Sequence, residues 1–270
     1  MTFITLIGFG EAGSSFADAA RWERDAQVFD VRPVDSGSSN VNVCKTLAEA
    51  IAGSPNIISV VTADAAINAA RDAAQQIERG ALYFDMNSVS PGSKCEAAAF
   101  VEAAGGRYVD VAIMAPVKPL LMAVPLLLSG PHSEDGQIAL AALGFSSIRI
   151  VGNDVGRAST IKMLRSVMYK GVEALTAECL LACEKAGVTD EVLSSFGNDW
   201  ATGADYRLDR MLVHGTRRSA EMAESVKTLI ELGIEPLMTR GTSERQAQLG
   251  ALDIKSPPTG LQAKLKRLAV

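Results

Sequence analysis

A chain of 270 residues has room for one large domain or two ordinary ones. Apolar residues make up 48% and charged residues 21%, the balance of a soluble globular protein, and abundant alanine with only 5% aromatics predicts helix packing through small residues. A net charge of −5 argues against a nucleic-acid partner, whose recognition needs basic surface.

The first residues, Met1-Thr2-Phe3-Ile4-Thr5-Leu6-Ile7, have neither the basic start nor the small-residue cleavage site of an export signal, so a cytoplasmic protein is expected. Strand candidates then follow in chain order at Phe3–Phe9, Gln27–Val31, Ile57–Val61, Ala81–Asp85, Arg107–Asp110, Leu126–Ser129 and Ser147–Val151. Helical patterns fill the intervals at Gly13–Arg24, Leu47–Ala52, Ala65–Glu78, Gly92–Ala104 and Ser133–Leu143. Strands alternating with helices predict an α/β, Rossmann-type doubly wound parallel sheet over residues 1–152. The longest apolar run, Ala112 to Leu128, is broken by three prolines and a lysine, so no membrane span is expected there.

Beyond Gly152 the pattern becomes all-helical, which predicts a helical C-terminal domain over 153–270 for substrate and dimer contacts. Residues Ala158–Ala186 contain no proline, and Ile161, Leu164, Met168, Val172, Leu175, Cys179 and Cys183 recur at three- and four-residue steps as an apolar stripe. Gly187 sits where a glycine ends such a helix. Further helices are predicted at Glu191–Trp200, Tyr206–Val213, Thr216–Leu232 and Thr242–Leu249, with a polar tail starting at Lys255-Ser256-Pro257-Pro258. Four scattered cysteines and two histidines make a metal site an unfavoured reading, and reduced, mostly buried thiols are expected.

The chemistry concentrates at Gly8-Phe9-Gly10-Glu11-Ala12-Gly13. Alone, a GxGxxG match is weak, but here a strand precedes it, a helix follows, and Asp30 closes the second strand. The first glycine permits the turn, the second lets backbone approach a pyrophosphate, and the third lets helix and strand pack closely. Asp30 is placed to accept hydrogen bonds from ribose hydroxyls, which favours NAD; Arg32 is placed to meet the 2′-phosphate of NADP, or is a surface residue without a cofactor role. Thr62-Ala63-Asp64, after the third strand, is placed to touch cofactor through backbone atoms of Thr62 and Ala63.

These features resemble the β-hydroxyacid dehydrogenase family, which includes 6-phosphogluconate and 3-hydroxyisobutyrate dehydrogenases. Besides the glycine turn, Asp85-Met86-Asn87-Ser88-Val89-Ser90-Pro91 is similar to the family's Asp-Met-Ser-Thr-x-Ser-Pro. Val109-Asp110-Val111-Ala112-Ile113-Met114-Ala115-Pro116 stands in place of its Asp-Ala-Pro-Val-Ser-Gly-Gly, and Gly156-Arg157-Ala158-Ser159-Thr160-Ile161-Lys162 resembles the opening of its long interdomain helix. The resemblance spans about the first 190 residues. It implies a nicotinamide cofactor, NAD or NADP, a small-molecule substrate and a homodimer. It also implies Lys162 as general acid/base, Ser88 at the nicotinamide ribose and the substrate, and Asn87, Met114, Ala115, Arg165 and Ser166 along the substrate. On the predicted helix Lys162, Arg165, Ser166, Tyr169 and Glu173 share a polar face.

The departures bear on the substrate. Met114-Ala115-Pro116 replaces Ser-Gly-Gly, which would hold a carboxylate through backbone N–H groups, and proline has none. A bulkier apolar substrate whose anion meets Arg165 or Lys118 fits these changes. His214, Arg217 and Arg218 gather near a predicted helix start; Arg217 or Arg218 with Glu221 is either a changed form of the family's Lys-Asp pair or a surface ion pair. Two other classes fit the same plan: a reductase of C=N bonds and a non-catalytic NAD(P)-binding sensor.

Overall fold

The computed structural model describes residues 4–34, 41–197 and 200–268, so Phe3 of the first predicted strand lies outside the described residues. The chain divides into two compact units, residues 1–163 and 164–270.

The first unit is an eight-stranded sheet: β1 (Ile4–Ile7), β2 (Ala26–Phe29), β3 (Asn42–Val43), β4 (Asn56–Ser59), β5 (Leu82–Asp85), β6 (Arg107–Ile113), β7 (Leu126–Ser129) and β8 (Ile148–Gly152). Their order is β3-β2-β1-β4-β5-β6-β7-β8. Every pairing is parallel except β6 with β7. The chain leaves β1 toward β2 on one side and later returns to β4 on the other. The strand order therefore reverses at β1/β4, the switch point outside which such sheets bind ligands. The two-residue β3 was not among the predicted strands, being too short for any periodicity.

Helices α1 (Glu11–Ala20), α2 (Leu47–Ile51), α3 (Ala66–Ala74), α4 (Pro91–Ala103) and α6 (Ser133–Ala142) follow their predicted segments with shifted ends. The short α5 (Val117–Leu120) precedes β7. Alternate strand residues feed two cores. Ile4, Leu6, Val28, Ile58, Phe84, Val109, Val111 and Leu128 bury one face with Phe16 and Leu140. Ile7, Ile57, Tyr83 and Tyr108 bury the other with Ala70, Ala97 and Val101. Such near-continuous apolar strands are what a sheet covered on both faces requires.

The long helix α7 (Arg157–Ala186) begins in the first unit because its first turn is held there. Asp110 accepts hydrogen bonds from the backbone N–H of Gly156 and of Ser159, both at 3.1 Å, and Ser129 Oγ accepts from Ala158 N–H at 2.9 Å. A carboxylate here satisfies N–H groups that a helix start leaves open and opposes its positive dipole end.

The second unit continues α7 and adds α8 (Thr189–Ser195), α9 (Trp200–Glu231), α10 (Leu237–Gly250) and α11 (Leu261–Leu268). Three expectations are corrected here. The two helices predicted either side of His214-Gly215 are one continuous α9: a Cβ on Gly215 would stand 2.7 Å from Gly250 Cα, so this glycine allows α10 to approach and breaks nothing. The tail after Lys255 is not all irregular, because α11 buries Leu265 in the helical core and brings Lys264 Nζ to Asp209 at 3.0 Å and to Asp205 at 2.5 Å. The apolar stripe of α7 is only partly buried: Leu164, Met168 and Leu175 are exposed and Cys183 is buried, whereas Lys170, Glu173, Ala174, Ala177 and Leu180, outside the stripe, are buried.

Candidate functional site

The turn from β1 to α1 carries the site's first half. Gly8 has φ +96°, and a Cβ there would lie 2.6 Å from the Val60 carbonyl oxygen, so no other residue fits the turn without displacing β4. Gly10 precedes α1 with no side-chain cap, and the N-terminus of a helix directs its positive dipole end toward an anionic ligand. Asp30 closes the turn from behind: its Oδ2 accepts from Phe9 N–H at 2.8 Å and its Oδ1 from Arg32 N–H at 2.9 Å. Burial opposes ionisation of Asp30, but these two donors and the Arg32 guanidinium, 3.5 Å away, outweigh it and hold the carboxyl below its ordinary value. The glycine turn, Asp30 and Arg32 thus form one constellation, and its residues fit a dinucleotide.

At the ends of β4 and β5 the structure links two predicted segments. Asn87 Oδ1 accepts from Val61 N–H at 2.6 Å, and its Nδ2 donates to Ser59 Oγ at 3.0 Å. Asn87 is buried, with both ends of its amide engaged inside the domain, so it braces the strand ends. Ser88 is the one residue between Ala81 and Ser90 that is not buried. Lys162 Nζ donates to Ser88 Oγ at 2.6 Å, joining residues 74 positions apart. Thr62 leads into a 3-10 turn at Ala63–Ala65, with Thr62 exposed and Ala63 half-buried.

Behind Ser88 and Lys162 lies a charged cluster that the sequence reading missed. Asp85 and Asp110 sit opposite one another on β5 and β6. Lys94, from the first turns of α4, places its ammonium 2.8 Å from Asp85 Oδ1, 2.6 Å from the Asp85 carbonyl oxygen and 3.4 Å from Asp110 Oδ1. All three side chains are fully buried. Asp85 also accepts from Asn87 N–H at 2.9 Å and from Tyr108 OH at 2.7 Å, and Asp110 from Ser129 Oγ at 3.0 Å and Ser159 Oγ at 2.7 Å. Burial, with the Asp85 and Asp110 carboxylates nearby, pushes the Tyr108 phenol well above its ordinary value and keeps it a donor. A lysine two residues past Pro-Gly at a helix start was the available signal, because a cation there opposes the helix dipole unless acids meet it.

Met114 and Ala115, just past the end of β6, join different cores: Met114 packs against the small cluster of Ala112, Leu127 and Ala158, whereas Ala115 packs against the core that holds Phe16. Within the second unit, the Arg165 guanidinium lies 4.2 Å over the Tyr169 ring, and Ser166 is half-buried. Glu173 leaves the predicted polar face for the interior, paired with Arg218 and accepting from Gln246 Nε2 at 3.0 Å. Lys170 meets Glu221 at 2.7 Å, and the exposed Arg217 stands 3.8 Å from Glu221. Burial pushes the Lys170 ammonium below its ordinary value, against the pull of Glu221 and Glu173. His214 lies half-buried in the middle of α9.

All four cysteines are free, and only Cys183 is buried, which corrects the expectation of mostly buried thiols. Among the described residues no group of three or more His, Cys, Asp or Glu is arranged to hold a metal, and no helix is long and apolar enough to cross a membrane.

Comparison with known proteins agrees with this geometry. Residues 3–119 match the NAD binding domain of 6-phosphogluconate dehydrogenase, and residues 184–249 match a domain of unknown function, DUF1932. A conserved hypothetical protein from Sinorhizobium meliloti 1021 is 35% identical with a TM-score of 0.76, over 100% of this chain and 96% of that one. A second structure, a conserved protein of unknown function described as similar to 3-hydroxyacid dehydrogenases, is 31% identical with a TM-score of 0.70, over 93% of this chain and 98% of that one. The 3-hydroxyisobutyrate dehydrogenase of Mycobacterium tuberculosis shares the fold at 17% identity, with a TM-score of 0.75 and full coverage of both chains. With its dinucleotide turn, its NAD-binding domain and these relatives, the chain belongs to the β-hydroxyacid dehydrogenase-like family as a divergent member.

Proposed function

We propose that this protein transfers hydride between a nicotinamide cofactor and a small hydroxy acid, or a related alcohol/carbonyl pair, with Lys162 as general acid/base. The observation that carries the reading is the 2.6 Å contact of Lys162 Nζ with Ser88 Oγ at the C-terminal edge of the sheet. When bound, the nicotinamide supplies or accepts the hydride. Gly8, Phe9, Gly10, Glu11, Ala12 and Gly13 hold the pyrophosphate on the N-terminus of α1, and Thr62 and Ala63 flank the cofactor through backbone atoms. The low-lying acid of Asp30 stays ionised at neutral pH and accepts from the adenosine ribose, which favours NAD, while Arg32 is the residue that would tolerate the phosphate of NADP.

Lys162 Nζ takes the hydroxyl proton as the alcohol is oxidised and returns it to the oxygen on reduction. Ser88 orients that oxygen. Met114 and Ala115 contact the apolar part of the substrate, a role supported for Met114 by its packing against the cluster that includes Ala158, in the first turn of α7. Arg165, with Ser166, meets its anion. Arg165→Ala is accordingly expected to raise KM for an acidic substrate about tenfold or more through loss of a charge-assisted contact, read from initial rates. An unchanged KM removes Arg165 from the site.

The test of the reaction is a screen of 3-hydroxy acids, aryl-substituted alcohols and cyclic imines with NAD and with NADP, following absorbance of the reduced nicotinamide. Turnover of a hydroxy acid that is lost in Lys162→Ala supports the reading. Turnover confined to imines makes the protein a C=N reductase, and tight cofactor binding without turnover of any class makes it a sensor. Activity with NADP alone overturns the assignment of Asp30.

A further inference from the structure

We propose that Lys94 is a positioning residue: its ammonium ties the strand end that carries Ser88 to the helix start that carries Lys162. The inference rests on the proposed roles of that pair. Ser88 lies three positions after Asp85, and Lys162 three positions after Ser159. Asp85 holds the first segment through Asn87 N–H, and Asp110 holds the second through Gly156 N–H, Ser159 N–H and Ser159 Oγ. Lys94 reaches both carboxylates, at 2.8 and 3.4 Å.

The placement is not what stability alone favours. Two acidic side chains face each other on paired strands inside the core with one lysine between them, an arrangement that costs desolvation of every member. Apolar residues of similar volume serve a core as well or better than buried ion pairs. The lysine also stands near the N-terminus of α4, where the helix dipole opposes a cation. What the arrangement provides is rigidity between two segments distant in sequence, each presenting one member of the Ser88–Lys162 contact. Misplacement of such a pair by about an ångström costs on the order of a hundredfold in rate.

Removing Lys94 alone would strand two buried acids, so the test uses Lys94→Met/Asp85→Asn in the full chain, which removes one charge of each sign. The expected result is a cooperatively folded protein with Tm close to wild type and kcat at least tenfold lower, while KM changes less than about threefold. Amide hydrogen exchange is expected to rise in residues 86–90 and 156–162 and to stay unchanged in β1, β4 and α9. That exchange is measured without cofactor or substrate. If wild type turns over no substrate, the proposed function falls and exchange alone decides the tie. Unaltered exchange in both segments, or unaltered kcat in an active enzyme, overturns the proposal. If the pair does not fold, Lys94→Met/Asp110→Asn replaces it, and failure of both to fold makes Lys94 a requirement of the fold and likewise overturns the proposal.

Discussion

At the residue scale, the site is built from side chains whose partners restrict what they can do. Ser88 escapes burial among buried neighbours and meets Lys162, so the pair is presented while its supports are not. Lys162→Ala is expected to lower kcat/KM by about 10²–10⁴-fold, the usual range for loss of a general acid/base. The dissociation constant for reduced cofactor, read by its fluorescence, is expected to stay within about threefold. Asp30 makes a pH prediction. Its folded pKa is depressed, so its contribution to stability is present above the unfolded value of about 4 and is lost as pH falls through the folded value. Asp30→Asn is therefore expected to show a shallower loss of stability than wild type between pH 4 and pH 2, measured by urea melts at each pH.

At the scale of elements, two contacts show how backbone and charge place helices. Asp110 acts as a cap for α7 from inside the sheet, which makes the start of the helix part of the first unit. Between α9 and α10 the contact is backbone on backbone: a Cβ on Gly250 would stand 2.2 Å from Thr216 N. Gly250→Ala is expected to destabilise by at least about 2 kcal/mol, since neither main chain can yield as a side chain would. A thermal melt reads that loss, and cofactor affinity, which depends on the first unit, is expected to be unchanged. The buried pairs Arg218–Glu173 and Lys170–Glu221 lie in the same helical unit.

At the scale of the whole molecule, the exposed apolar surface bears on assembly. Leu164, Met168 and Leu175 lie exposed along α7, and Ile230, Leu232, Ile234, Leu237 and Met238 lie exposed around the turn from α9 to α10. Large apolar side chains left exposed in number are a feature of association sites. We propose a homodimer, as the family resemblance implies. Light scattering after gel filtration is expected to give twice the chain mass of 28.4 kDa, and a monomer at micromolar concentration would contradict it.

The sequence by itself determined the fold class and marked the glycine turn, and through the family resemblance it offered Ser88 and Lys162 as separate candidates; their contact was decided by the tertiary structure. Those signals are local: apolar strands, glycines at set spacing, and short motifs in order. Helix ends and the buried face of α7 were not legible, because burial depends on what packs against a residue. Gly215 reads as a helix break until Gly250 is beside it, and Lys264 reads as tail until Asp205 and Asp209 meet it. The Asp85–Lys94–Asp110 cluster was out of reach for the same reason. In sequence its members are ordinary charges on a strand end, a helix and a strand, and only the sheet register and the packing of α4 make them one buried group.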